Sequence, residues 1–109
     1  MQELTFTFSQ EGTDAPTINA TFINTIGSFA ISASGIGKFP IVSTGAFPVK
    51  EKVLLPAPTS FVNNNGDHIQ VALNWLDANT IEINCGTVPD GNETALNYTD
   101  FPVTIKVKP

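Results

Sequence analysis

Leu4-Thr5-Phe6-Thr7-Phe8 alternates apolar and hydroxylated side chains without a break. Successive residues of an extended backbone point to opposite sides, so this stretch is a strand with one apolar face. The same two-residue period recurs outward along the chain. Ile18, Ala20 and Phe22 form the next apolar face, and Phe29, Ile31 and Ala33 a third. Lys38 to Ser43 and Lys50 to Leu55 give two more strands. Ile69, Val71, Leu73 and Trp75 alternate with Gln70, Ala72 and Asn74, and Ile81 and Ile83 continue as the hairpin partner across Leu76-Asp77-Ala78-Asn79. The last strand spans Phe101 to Lys108, with Val103, Ile105 and Val107 inward, which ties the end of the chain into a sheet.

The breaks between these segments carry turn chemistry. Glu11 to Pro16, Asn24-Thr25-Ile26-Gly27, Gly35-Ile36-Gly37 and Gly45 to Pro48 each interrupt the period. Asn63-Asn64-Asn65-Gly66-Asp67 is the clearest turn, since Asn and Gly tolerate positive φ. Pro56-Ala57-Pro58 stops the fifth strand, because proline donates nothing to a ladder. Gly86 to Asp100 reads as a long polar loop. No stretch sustains a helical period, and no linker or internal repeat divides the chain. About eight short antiparallel strands with turns between them predict an all-β fold, a single β-sandwich of jelly-roll or immunoglobulin-like kind over residues 1–109. The predicted core is Phe6, Phe8, Phe22, Phe29, Ile69, Val71, Leu73, Ile81, Ile83, Val103 and Ile105.

Composition narrows the function. The net charge is −5, from five Lys, no Arg and ten Asp plus Glu, which excludes holding nucleic acid by neutralising phosphates. No apolar run is long enough for a membrane-spanning helix, and Met1-Gln2-Glu3 leads into alternating Thr and Phe, unlike a signal peptide. Charged residues are 14 % of the chain, against about 25 % in an average domain. Thirteen Thr, ten Asn, six Ser and three Gln wet the surface instead. Neutral amides and hydroxyls lose less on desolvation than charges do. They suit a protein packed inside an assembly or one that binds sugars, and Thr and Asn also simply fit strands and turns.

Catalytic chemistry finds little footing. His68 is the only histidine and Cys85 the only cysteine, so neither a disulfide framework nor a histidine-based metal cluster exists. Cys85 follows Ile81 and Ile83 in the same alternation, which makes it a buried, inert thiol. Asp77, Glu82, Asp90, Glu93 and Asp100 are solvated loop and strand acids rather than a glycosidase pair. Asp90-Gly91-Asn92-Glu93 lacks the alternating ligands of a calcium loop. The chain therefore reads as a non-enzyme without cofactor or metal. Trp75 at the end of an apolar face and Tyr98 in the polar loop, with Asn92 and Asn64 in turns, are the candidate contacts for a protein partner or a glycan.

Several segments together resemble a family of small phage-associated proteins from viruses and prophages of Bacteroidetes-type bacteria. They are Leu4 to Gln10, Gly12 to Thr17, Asn24-Thr25-Ile26-Gly27, Thr44-Gly45-Ala46-Phe47, Asn64-Asn65-Gly66-Asp67 and Phe101 to Pro109. The resemblance implies a virion structural protein, such as a head fibre, spike, decoration or tail-associated module, assembled in the host cytoplasm. It also implies a homo-oligomer, with a trimer as the fibre-like expectation, and other virion proteins as partners. A small carbohydrate-binding or adhesin-like module that meets a host-surface glycan is the alternative. Few charges guard the sheet edges, so copies of the chain are expected to meet through Thr-rich and Phe-bearing strand faces.

Overall fold

The first strand sets the layout. In the computed structural model, which describes residues 1–109, β1 (Gln2–Gln10) buries Leu4, Phe6, Phe8 and Gln10 on one face. Its other face carries Glu3, Thr5, Thr7 and Ser9, all half-buried. Eight further strands follow: β2 (Thr17–Asn24), β3 (Ala30–Ile31), β4 (Lys38–Val42), β5 (Val53–Leu54), β6 (Thr59–Val62), β7 (His68–Asp77), β8 (Thr80–Thr87) and β9 (Tyr98–Val107). They form a β-sandwich of two sheets, ordered β2-β1-β9-β5 and β3-β4-β8-β7-β6, with every pairing antiparallel. No helix is long and apolar enough to cross a membrane.

The core lies between the two apolar faces. Phe8 meets Phe39 of the opposite sheet with ring centroids 6.0 Å apart, edge to face. Phe29 packs on Phe6 at 5.2 Å. Phe61 of β6 packs against Tyr98 at 4.8 Å and Phe101 at 5.4 Å, joining the sheets at another point. Ile69, Val71, Ile81, Ile83, Cys85, Val103 and Ile105 fill the space between, as their alternation requires. Phe29 and Leu73 are half-buried at its margin.

Phe22 departs from the expected core and is 68 % exposed. The register of β2 gives the reason. Thr5 pairs with Ile23 and Phe6 with Thr21, so Phe22 is an extra residue in β2. Asn19 is a second, because Thr7 pairs with Ala20 and Phe8 with Ile18. Each extra residue reverses the inward and outward parity of the strand beyond it. Of Ile18, Ala20 and Phe22, only Ile18 therefore sits opposite a core phenylalanine, and the regular face these three would form does not exist.

Other segments also differ from the period. Lys50–Lys52 is a single 3₁₀ turn, and only Val53–Leu54 of that region pairs as a strand. β6 lies just beyond Pro56 and Pro58, where the prolines mask its short alternation. Phe47 and Leu96 are fully buried although they belong to irregular segments. The loop before the last strand is shorter than its polarity suggests, because β8 runs on to Thr87 and β9 starts at Tyr98.

Cys85 is buried on the core face of β8, and burial pushes its thiol up to about 12. The unfolded chain releases this proton near 9, so between pH 9 and 12 only the unfolded state is deprotonated. Stability owed to the protonated thiol is intact below pH 9 and is lost as pH rises, by about 1.4 kcal/mol per pH unit. Denaturant unfolding of wild type and Cys85→Ala at stepped alkaline pH should therefore converge at that rate. A stability difference that stays constant with pH would contradict this burial.

Candidate functional site

Two features of the sandwich remain unspent on folding: one lateral side, and a cleft at one end of β1 and β9. The side follows from the strand order. β1 lies over β4 through Phe8 and Phe39, and β9 lies over β6 through Phe101 and Phe61. The edge strands β2 and β3 therefore border the same side. No charged residue occurs from Ala15 to Gly37, a span that contains both. Phe22 and Ile23 stand exposed on it. The opposite side is defended differently. β5 has two residues and is flanked by Lys50, Glu51, Lys52 and Pro56, while β6 has four and is flanked by Pro58 and Asp67. Both sides have a two-residue edge strand, β3 on one and β5 on the other, and a proline beside an edge, Pro16 before β2 and Pro56 and Pro58 around β5 and β6. Charge is the edge protection that only one side of this molecule has.

The cleft is built where β1, the Asn63–Asp67 turn and the start of β9 meet. It encloses about 220 Å³ and is lined by Gln10, Asp14, Asn64, Asn65, Asn97 and Tyr98 among others. Gln10 continues the parity of Leu4, Phe6 and Phe8, so its amide is carried inward. There its Nε2 donates to the Gly12 and Asp14 carbonyls at 2.7 and 3.1 Å, and its Oε1 accepts from the Leu96 N–H at 2.8 Å. The Glu11–Pro16 turn and the segment before β9 are thereby locked to β1. Asn97 adopts a left-handed backbone with φ 48°, which Asn tolerates better than most residues. Its carbonyl accepts from the Asn64 N–H at 2.8 Å, and its Oδ1 accepts from the Gly12 N–H at 2.7 Å. Asn64 Nδ2 in turn donates to Thr99 Oγ1 at 3.2 Å. Within the neighbouring turn, Asn63 Oδ1 accepts from the Asn65 and Asp67 N–H groups at 3.0 and 2.9 Å.

Tyr98 also borders a second hollow of about 230 Å³, lined by Thr59, Phe61, Phe101 and Pro102. One ring thus separates a polar cleft from an apolar one. No cation lines either hollow, and Glu11 and Asp14 give the polar one an acidic edge.

Of the four candidate contacts, the fold brings Tyr98 and Asn64 together in this cleft and leaves Trp75 and Asn92 outside it. Trp75 is half-buried, and its Nε1–H donates to the Phe47 carbonyl at 3.0 Å, so it anchors the segment after β4. Asn92 uses its backbone, accepting from the Thr87 N–H at 2.9 Å and donating to Thr87 Oγ1 at 3.2 Å. Gln10 and Asn97 are the cleft residues the sequence reading passed over. Parity marks Gln10 as inward, whereas nothing local marks Asn97. The acids of the last third disperse: Glu93 pairs with Lys38 at 3.0 Å on the surface, and Asp100 meets Asn19. No three His, Cys, Asp or Glu side chains gather in a metal-holding group.

No protein-family model matches the chain, and neither a curated protein nor a solved structure does.

Proposed function

We propose that the chain is a structural module that works by assembly, and that its uncharged β2–β3 side receives a second copy of the same chain. The observation that carries this reading is the asymmetry of charge at the edges: one side is flanked by Lys50, Glu51, Lys52 and Asp67, and the other has no charge from Ala15 to Gly37 and turns Phe22 and Ile23 outward. An uncharged side meeting the same side of its own copy closes as a two-fold pair, in which every contact off the axis occurs twice. The bulges at Asn19 and Phe22 interrupt a continuous inter-chain ladder, so side-chain packing supplies most of the contact. The surrounding Thr and Asn side chains are desolvated at less cost than charges. The virion setting, as a head fibre, spike, decoration or tail-associated part, rests on the resemblance of the quoted segments to phage-associated modules. A trimer, the fibre-like arrangement, requires the same side to meet a different surface of the neighbour.

Sedimentation equilibrium at micromolar concentration tests the reading. A mass that is a multiple of 11.6 kDa is expected. Burying a Phe side chain contributes roughly 1.5–3 kcal/mol, so Phe22→Lys should weaken association by about tenfold or more while the monomer stays folded by circular dichroism. A wild type that sediments as a monomer of 11.6 kDa overturns self-assembly. An oligomer indifferent to Phe22→Lys and Ile23→Lys overturns the β2–β3 side as its contact.

A further inference from the structure

We infer that the cleft beside Tyr98, which meets β2 only at Thr17, the opposite end of that strand from Phe22 and Ile23, is a binding site for neutral oligosaccharides. A sugar ring is amphipathic: hydroxyls surround its rim, and one face presents C–H groups. The two hollows that share Tyr98 have the matching division. The ring of Tyr98, braced edge to face by Phe61 at 4.8 Å and Phe101 at 6.1 Å, offers a rigid apolar platform. The polar hollow beside it offers donors and acceptors in fixed positions.

Which polar groups are free follows from the bonds already made. Gln10 gives both Nε2 hydrogens to carbonyls and turns its Oε1 to the Leu96 N–H, so it is committed to the backbone. Asn64 gives Nδ2 to Thr99 and keeps Oδ1 as an open acceptor. Asn97 commits Oδ1 to Gly12 and keeps Nδ2 as an open donor. Asn65 keeps its whole side-chain amide, and Asp14 its carboxylate. Sugar hydroxyls both donate and accept, so a site with both kinds of open group suits them. The supporting bonds are internal to the fold, and little ordering is left for the ligand to impose.

Charge and size narrow the class. The site lacks a Lys or Arg and carries Glu11 and Asp14, which repels phosphorylated, sulfated and sialylated ligands. A volume of about 220 Å³ falls below that of a drug-sized pocket, and it admits one ring of a chain that continues across Tyr98 to the apolar hollow.

The test is an array of neutral hexose and N-acetylhexosamine oligosaccharides printed beside sialylated and sulfated ones, followed by titration calorimetry of the retained neutral sugar. Binding to neutral members alone is expected. Tyr98→Ala should weaken it about tenfold or more, and Tyr98→Phe should retain it, since the ring and not the hydroxyl supplies the platform. Tyr98→Ala also loosens packing on Phe61, so the exposed Asn65→Ala serves as a second variant; it should lower affinity several-fold with an unchanged melting temperature. Phe22→Lys should leave sugar affinity unaltered, which separates this site from the assembly side. Three results overturn the inference: no neutral oligosaccharide bound at millimolar concentration, a preference for the anionic sugars, or binding that neither Tyr98→Ala nor Asn65→Ala changes.

Discussion

Phe8→Ala should lower the stability of the domain by about 3–5 kcal/mol, measured as a shift in the denaturant unfolding midpoint. Phe8 is fully buried, and its ring lies 6.1 Å from Phe6, 6.0 Å from Phe39 and 5.9 Å from Phe101. Its ring links Phe6 and Phe101 of its own sheet to Phe39 of the opposite one. Truncation removes the apolar burial and leaves a cavity that three rigid rings cannot collapse to fill. A domain of this size holds only about 5–15 kcal/mol in total, so the variant stands near the threshold of folding. Phe8→Leu keeps most of the apolar volume and should cost distinctly less. A Phe8→Ala variant with the wild-type midpoint would mean that the sheets do not pack through this ring.

Gly37→Ala should cost a similar amount, about 3–5 kcal/mol, although it adds a single methyl group. Gly37 is buried with φ +69°, a left-handed conformation that costs an alanine roughly 1–2 kcal/mol. A Cβ there would also overlap the Thr94 carbonyl oxygen and come within 2.8 Å of the Cys85 carbonyl oxygen. Neither oxygen can retreat freely. Cys85 is fixed in β8, its N–H bonded to the Gly37 carbonyl at 2.8 Å, and Thr94 donates to the Cys85 carbonyl at 3.3 Å. The added methyl would therefore push on the segment that delivers Leu96 and Asn97 to the cleft. Gly45→Ala is the control. It has nearly the same φ, +67°, with nothing within 4 Å of the added carbon, and should show only the conformational cost. Equal losses in the two variants would remove the close approach as the cause.

Much of the sandwich was legible because its central strands are regular. In β1, β7, β8 and β9 each residue has one partner across the ladder for most of the length, so a two-residue period translates directly into faces. The Asn63–Asp67 turn was legible for a local reason, since Asn63 makes its bonds to residues two and four positions on. β2 was not. Its parity depends on where two extra residues are accommodated against β1, and that is a property of the pair rather than of either strand. Phe47 and Leu96 escaped because irregular backbone has no period, and their burial is set by what lies over them.

The candidate site divides in the same way. Tyr98 and Asn64 stood out as an aromatic and an amide in polar loops, but 34 positions of chain separate them. Their meeting in one cleft depends on β6 and β9 packing from opposite sheets. Trp75 looked equivalent by residue type, and its bond to the Phe47 carbonyl gives it a structural task instead.

The amino-acid sequence by itself determined the all-β class, the central strands, the principal turns, the low charge and the inert position of Cys85. All of these follow from residue identity or from interactions within a few positions of the chain. Only the tertiary structure decided that Phe22 faces solvent, that β2 and β3 share one uncharged side, and that Gln10, Asn64, Asn97 and Tyr98 form one cleft. Those outcomes come from register, edge position and the stacking of two sheets, where residues far apart in sequence compete for the same space. A two-residue period says which face a side chain takes, and only the pairing of strands says what that face meets.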